Sequence, residues 1–177
     1  MAKQKKEPFF YRNSIRLSIV ARIVFGLIWL IDAYFKFSPD FTQTFQGSIQ
    51  NGANGQPAWI AGWFALWSNA MSTNPAFWAS VIAFSELAIA MVLILGFMRR
   101  IGYGGGFIYS LMLWSVPEGF GGPYSSSSTD IGTGIVYAIV FLMLMIINAI
   151  EGASKYTLDY YLEKRISWWK NLAEFGK

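Results

Sequence analysis

Four long runs of apolar residues constrain the fold of this 177-residue chain more than any other feature. They cover residues 15–37, 76–97, 101–116 and 131–150. A helix of roughly 20 apolar residues crosses the hydrocarbon core of a bilayer, and three of the runs reach that length. The third run spans only if it stands nearly upright or continues past Pro117. The sequence therefore predicts an all-α fold, a four-helix transmembrane bundle that forms a single domain over residues 1–177.

Two alternatives to this interpretation stay open. The runs could form a soluble helical bundle, but only 14 % of the residues are charged, against about 25 % in a typical soluble domain. The first run could be a cleaved signal peptide. It is long for an apolar signal core, contains Arg22 and Asp32, and is followed by no clear small-residue cleavage site.

The basic residues predict how the spans are oriented. Twelve of the 14 fall on one side of a four-span arrangement, whereas Arg22 lies within a span and Lys36 lies at the opposite end. The twelve are Lys3, Lys5, Lys6, Arg12, Arg16, Arg99, Arg100, Lys155, Lys164, Arg165, Lys170 and Lys177. Because cytoplasmic loops are rich in Lys and Arg, we expect a multi-pass cell-membrane protein with both termini in the cytoplasm. The net charge of +4 comes from this asymmetry, so we expect no nucleic-acid partner.

The segments outside the spans carry further patterns. The first outer loop, residues 38–74, begins rich in Gln, Asn and Gly. It then places three Trp at helical spacing after Pro57, which predicts an outer interfacial helix over Pro57–Ala70. The second outer loop, residues 117–130, consists largely of turn residues.

The last part of the chain predicts one C-terminal cytoplasmic amphipathic helix over Tyr156–Phe175. Such a helix could float on anionic lipid headgroups or dock a cytoplasmic partner, and both interpretations stay open.

The chain contains no Cys and no His. It therefore cannot hold an iron–sulfur cluster, a His-ligated haem or a common zinc site with its own side chains. We expect no metal site, and an electron acceptor such as quinone would bind as a substrate.

Charged side chains within the spans mark the candidate functional residues, because a charge in hydrocarbon is costly. Arg22 in the first span and Glu86 at the middle of the second lie at depths that predict an ion pair. That pair would be either structural or part of a polar binding pocket. Asp32 and Lys36, four residues apart on one helix face, predict a second pair. Gly102, Gly106 and Ser110 form the small-residue pattern of close helix packing in lipid.

A polar outer mouth is the predicted site for a partner or an anionic substrate. The ends of three spans meet at this level and bring together Asp32, Lys36, Glu118, Tyr124 and Asp130. Glu118 and Asp130 are candidates to exchange protons, and Lys36 is the only outward cation. The alternative is that these residues shape a turn and that Asp130 caps the fourth span.

The order of motifs resembles a known family. An arginine-bearing first span ends in Trp29-x-x-Asp32-Ala33-x-x-Lys36-Phe37, Glu86 lies in the second span, and PEGFGGPY is followed by STDIGTGIVYA at the fourth. This pattern, over roughly residues 22–149, resembles the DoxD-like branch of the DoxX superfamily, the small subunit of thiosulfate:quinone oxidoreductase. The resemblance implies a membrane subunit of the respiratory chain in sulfur metabolism. It would work with a separate substrate-binding subunit that oxidises thiosulfate to tetrathionate, and electrons would pass to quinone.

Three functional hypotheses follow from these observations. If the resemblance holds, the chain is part of an oxidoreductase, anchors the partner subunit and contributes to quinone binding. Alternatively, it is a non-catalytic accessory or structural subunit of a larger membrane complex. A small transporter is the third possibility, although four spans without an inverted repeat argue against a transporter that works alone.

Overall fold

The computed structural model of the protein describes Phe9, residues 13–124 and residues 130–175. Within these ranges the chain is all-helical, as predicted, and folds into eight α-helices joined by short 3₁₀ turns. The helices are α1 Ser14–Lys36, α2 Pro39–Ala53, α3 Ala61–Ser72, α4 Pro75–Leu95, α5 Arg99–Ser115, α6 Thr133–Glu151, α7 Leu158–Glu163 and α8 Lys170–Ala173.

Three of the described helices, α1, α4 and α6, are long and apolar enough to cross a membrane. They begin and end within two residues of three of the predicted spans. Helix α5 corresponds to the remaining run and has 17 residues, or roughly 25 Å at 1.5 Å per residue. This length is short for a bilayer crossing, so a fourth span stays a prediction.

Local sequence signals determine how α4 begins and ends. The Asn74 side chain accepts a hydrogen bond from the Phe77 amide at 3.1 Å, and Pro75 occupies the first turn; both residue types are favoured at these positions. At the other end Gly96 adopts a left-handed conformation with φ of 63°. This conformation suits glycine and reverses the chain into α5.

Aromatic and aliphatic side chains from four helices form the core. Helix α1 packs along α4, and α5 packs along α6. Trp29, Leu93, Tyr103 and Phe141, one from each of these helices, are almost completely buried at their centre. Large apolar side chains on the opposite faces of α1, α4 and α6 are exposed, including Val20, Val24, Phe84 and Ile146. Outward-facing apolar surfaces of this kind suit contact with lipid.

The small residues of α5 allow this helix to pack closely on both neighbours. A Cβ at Gly102 would overlap Val92 of α4, and one at Gly106 would overlap the Phe141 ring of α6. Ser110 is fully buried on the same face. The predicted role of these residues in helix packing is therefore confirmed.

The two ends of the bundle differ in charge. The tail end carries the α4–α5 turn, the end of α6 and residues 152–175; the cavity end carries Lys36, the 116–124 loop and the start of α6. The described basic residues of the predicted cytoplasmic side lie at the tail end: Arg16, Arg99, Arg100, Lys155, Lys164, Arg165 and Lys170. Lys3, Lys5, Lys6, Arg12 and Lys177 lie outside the described residues, as do residues 125–129 of the second outer loop.

The first outer loop is more helical than the sequence predicts. The predicted helix over Pro57–Ala70 is present as a 3₁₀ turn, Ala58–Ile60, followed by α3. Helix α2 was not predicted, because its Gln, Asn and Gly residues suggested a loop. Its apolar residues Phe41, Phe45 and Ile49 recur every four positions and pack inward on one helix face.

The prediction of one continuous amphipathic helix over Tyr156–Phe175 is wrong. The segment consists of α7, a 3₁₀ turn at Ser167–Trp169 and α8. Its last helix packs against α5. The Trp169 indole Nε1–H donates to the Asp159 carboxylate at 2.9 Å. Ten residues of continuous helix would separate these residues by roughly 15 Å, so the helix must break between them.

Candidate functional site

Lys36 in the last turn of α1 connects the polar groups at the cavity end. Its ammonium Nζ lies 3.2 Å from Asp32 Oδ1, which confirms the pair predicted from their spacing. The same Nζ lies 4.0 Å from Glu86 Oε2 on α4. One lysine therefore lies between a partly exposed carboxylate and a fully buried one.

Glu86 is completely buried in the middle of α4. Its Oε1 accepts a hydrogen bond from the Tyr109 hydroxyl of α5 at 3.1 Å. Its Oε2 has no hydrogen-bond partner in the described residues, although Lys36 is close. A buried carboxyl oxygen without a hydrogen bond is costly, and such groups are concentrated at functional sites within membranes.

The predicted Arg22–Glu86 ion pair is wrong. Arg22 Nη1 donates to the Leu93 carbonyl at 2.6 Å, and Nη2 donates to the Tyr156 carbonyl at 3.2 Å. The last carbonyls of a helix lack partners within the helix and carry partial negative charge, so the end of α4 attracts the guanidinium. Glu86 lies seven residues before Leu93, roughly 10 Å farther along the helix.

An apolar cavity of about 170 Å³ opens next to Lys36 and Tyr109. We call it the apolar cavity. Its lining comes from α1, α2, α3, α4, α5 and the loop after α5: Lys36, Phe41, Phe45, Ser48, Ile49, Met71, Ile82, Tyr109, Met112, Leu113, Val116 and Pro117. Lys36 and Tyr109 are the ionisable groups in this wall, and both contact Glu86.

A second cavity, of about 540 Å³, lies on the other side of Lys36. We call it the polar cavity. Its lining comes from α1, α2, α5, α6 and the loop between the last two: Ile28, Ile31, Asp32, Phe35, Lys36, Ser48, Leu113, Pro117, Glu118, Thr133, Gly134 and Tyr137. Lys36, Ser48, Leu113 and Pro117 line both cavities. Lys36 therefore lies between two cavities, and the second has more ionisable groups in its lining: Asp32, Lys36, Glu118 and Tyr137.

Glu118 lines the polar cavity but is already engaged by the start of α6. Its Oε1 and Oε2 accept from the Gly134 amide at 3.1 and 2.9 Å, as expected for a carboxylate at a helix N-terminus. Burial raises the pKa of Glu118, and the bond from Gly134 opposes that shift. In the structure, Glu118 therefore caps the start of α6.

Asp130 and Tyr124 lie outside both cavity linings. The Asp130 carboxylate Oδ1 accepts from the Gly132 amide at 2.7 Å, just before α6, and the Tyr124 hydroxyl donates to the Phe120 carbonyl at 2.6 Å. Both contacts are local, which favours the turn-shaping alternative for these two residues. The structure thus brings Asp32, Lys36 and Glu118 together and leaves Tyr124 and Asp130 at the rim.

Tyr109 and helix α2 were missed by the sequence analysis. A tyrosine in an apolar run is ordinarily a core or interface residue, and no spacing links it to Glu86. The apolar spacing of Phe41, Phe45 and Ile49 was the available signal for α2. The site therefore combines one amine, the Tyr109 phenol and three carboxyls, a set suited to hydrogen bonding and proton exchange. The carboxyls are those of Asp32, Glu86 and Glu118. In the described part of the chain, no group of three or more acidic residues could hold a metal ion.

Comparison of the chain with protein-family models, with characterised proteins and with solved structures finds no match.

Proposed function

We propose that the protein is the membrane subunit of a thiosulfate:quinone oxidoreductase. It anchors a separate substrate-binding subunit and binds the quinone headgroup in the apolar cavity. Thiosulfate as the electron donor is what the resemblance of residues 22–149 to the DoxD-like branch implies. The observation that supports quinone binding is the composition of that cavity: mostly apolar walls with Lys36 and Tyr109 among its lining residues. Small-molecule sites typically combine apolar walls with a few polar groups that fix orientation.

A quinone headgroup suits this cavity chemically. It is a flat apolar ring with two carbonyl oxygens that accept hydrogen bonds. An ammonium has three N–H donors, and Asp32 takes one of those of Lys36 at 3.2 Å. The remaining protons of Lys36 are the donors available to a quinone carbonyl, and the Tyr109 hydroxyl becomes available when it releases Glu86.

The proposal includes four spans with both termini in the cytoplasm. Helix α5 is the short fourth span, and its small residues let it pack between α4 and α6. The basic residues at the tail end favour a cytoplasmic location for that end. The two cavities then face the outer side of the membrane, where a thiosulfate dianion is accessible without entering lipid.

The overall reaction divides between the two subunits. In the partner, two thiosulfate ions join through a new S–S bond to give tetrathionate and two electrons. The quinone accepts those two electrons and two protons and becomes quinol. This chain lacks Cys and His, so its contribution is to bind the quinone, orient it and supply protons.

Photolabelling with an azido-quinone tests the binding site. The purified protein should be labelled on peptides from α2 or α5 that line the apolar cavity, and excess unlabelled quinone should prevent labelling. Phe45→Trp places a larger ring in the cavity, where Phe45 is 4 % exposed. We expect it to reduce labelling about tenfold, the effect of roughly 1.4 kcal/mol of lost binding.

Phe84→Trp is the matched control, because Phe84 is 61 % exposed on the face of α4 that points away from the core. It should leave labelling unchanged, and thermal unfolding of both variants checks that they fold. If Phe45→Trp left the amount of azido-quinone labelling unchanged, the proposed quinone site would be wrong. If no quinone binds and purification in mild detergent yields other membrane subunits, the chain is the non-catalytic accessory subunit instead.

A further inference from the structure

We infer that Glu86 is an exchangeable proton site that connects the polar cavity to the apolar cavity. Protons enter from the polar cavity through Asp32 and Lys36 and leave towards the apolar cavity through Tyr109. The inference deepens the proposed function, on which it rests for the identity of the final proton acceptor. The connection itself is inferred from the order and spacing of these side chains.

The four side chains lie in order from the polar cavity to the apolar cavity, and one step, from Lys36 Nζ to Glu86 Oε2, is longer than a hydrogen bond. Asp32 is 36 % exposed, Lys36 is 22 % exposed and Glu86 is fully buried. Lys36 Nζ lies 3.2 Å from Asp32 and 4.0 Å from Glu86. The Tyr109 hydroxyl bonds to the other oxygen of Glu86 at 3.1 Å and borders the apolar cavity.

Comparison with Asp159 shows what is unusual about Glu86. Both carboxyls are fully buried. Asp159 accepts from the Met98 amide, the Arg99 amide, Arg99 Nε and Trp169 Nε1, all within 3.1 Å. Four such donors occupy both carboxylate oxygens of Asp159. Glu86 has one hydrogen-bond donor and an oxygen without a partner, which leaves room for a proton.

The titratable groups facing Glu86 come from three helices. Helix α1 contributes Asp32 and Lys36, α5 contributes Tyr109, and Tyr137 of α6 interacts with Glu86 and Asp32 electrostatically. The nearest charged groups are thus one cation and one carboxylate, and both line the polar cavity. Arg22 is engaged at the tail end and does not neutralise Glu86.

Each proton transfer is balanced within this series. The Tyr109 hydroxyl turns from Glu86 to a quinone oxygen, gives its proton to that oxygen and regains one from protonated Glu86. The Lys36 ammonium then closes its 4.0 Å distance to Glu86 and gives it a proton. Lys36 is reprotonated by water in the polar cavity, directly or through Asp32. Two such cycles supply the two protons that accompany the two electrons of quinone reduction.

Carbodiimide labelling tests whether Glu86 exchanges protons. Dicyclohexylcarbodiimide reaches apolar sites and reacts with protonated carboxyls. We expect mass spectrometry to find the label on the peptide containing Glu86, and we expect labelling to decrease as the pH rises. Asp159 is the matched buried carboxyl and should stay unlabelled. Glu86→Gln should lose the label. Absence of label on Glu86 across the pH range, or equal labelling of Asp159, would overturn the inference.

Proteoliposomes of known orientation test the route. With the pH changed on one side only, labelling of Glu86 should follow the pH on the polar-cavity side, and Lys36→Gln should remove that response. Labelling that follows the tail-end pH would overturn the route. Because these measurements require no quinone, they distinguish the two proposals. If azido-quinone labelling fails while pH-dependent carbodiimide labelling persists, only the proposed function is wrong.

Discussion

Asp159 joins three segments at the tail end through a single side chain. It binds the backbone where α5 begins, the guanidinium of Arg99 and the indole of Trp169. Arg99 Nη1 also donates to the Gly152 carbonyl at 2.9 Å, which adds the end of α6 to the same network. The residue therefore holds the tail against the α4–α5 turn.

Asp159→Asn should be strongly destabilising. An amide cannot replace a carboxylate that faces four donors, and the buried Arg99 would lose the carboxylate to which it is hydrogen-bonded. Breaking a buried ion pair typically costs about 3–5 kcal/mol. Unfolding in detergent, followed by heat or denaturant, measures the loss.

Glu163→Gln is the matched control at the same site. Glu163 Oε1 lies 4.0 Å from Arg99 Nη2 without a hydrogen bond, and burial raises the pKa of Glu163. This substitution should change the unfolding free energy by less than about 1 kcal/mol. Equal losses for the two variants would contradict the role assigned to Asp159.

Sequence analysis identifies charged residues of interest more readily than their partners. Asp32 and Lys36 were paired correctly, because four residues on one helix determine their distance. Arg22 was paired wrongly, since its partners are backbone carbonyls that no sequence pattern reveals. Asp159 was missed because an acidic residue in a polar tail ordinarily faces water.

At the scale of elements, the glycines of α5 determine how closely its neighbours approach. Gly106→Ala should destabilise the bundle by about 1–3 kcal/mol, because the new methyl group overlaps the Phe141 ring. Thermal unfolding in detergent is the measurement.

Gly104→Ala, on the same helix, provides the control. A Cβ at Gly104 meets nothing within 4 Å, so this change should be neutral or stabilise the helix by up to about 1 kcal/mol. If Gly106→Ala proved as harmless as Gly104→Ala, the close packing of α5 on α6 would be wrong.

The long apolar helices were predicted to within two residues, because hydrophobicity and length alone identify them. The shorter elements were not. Helix α2 is composed largely of polar residues and is stabilised by one inward face, whereas the tail breaks where Asp159 and Trp169 must meet. Both features depend on tertiary contacts, which local composition does not report.

At the scale of the whole molecule, the two ends have different chemistry. The cavity end combines two cavities with a single described lysine, and the tail end holds the other described basic residues, including Arg22, which binds the Tyr156 carbonyl. In the proposed topology, protons and substrate would arrive at one face of the membrane, and the basic tail would lie at the other.

Cysteine labelling tests this direction and the number of spans together. The chain has no native cysteine, so single cysteines can be introduced at exposed Asn54, Arg100 and Arg165. An impermeant maleimide applied to intact cells should label Asn54→Cys alone. In permeabilised cells it should label all three variants. Arg100 and Arg165 must behave alike if α5 and α6 both cross the membrane, because two crossings return the chain to the same side. If Arg165→Cys were labelled from outside while Arg100→Cys was protected, α5 would not span. If Arg100→Cys and Arg165→Cys were labelled from outside and Asn54→Cys was protected, the orientation would be the reverse of the proposed one. The cavities would then lie on the cytoplasmic face.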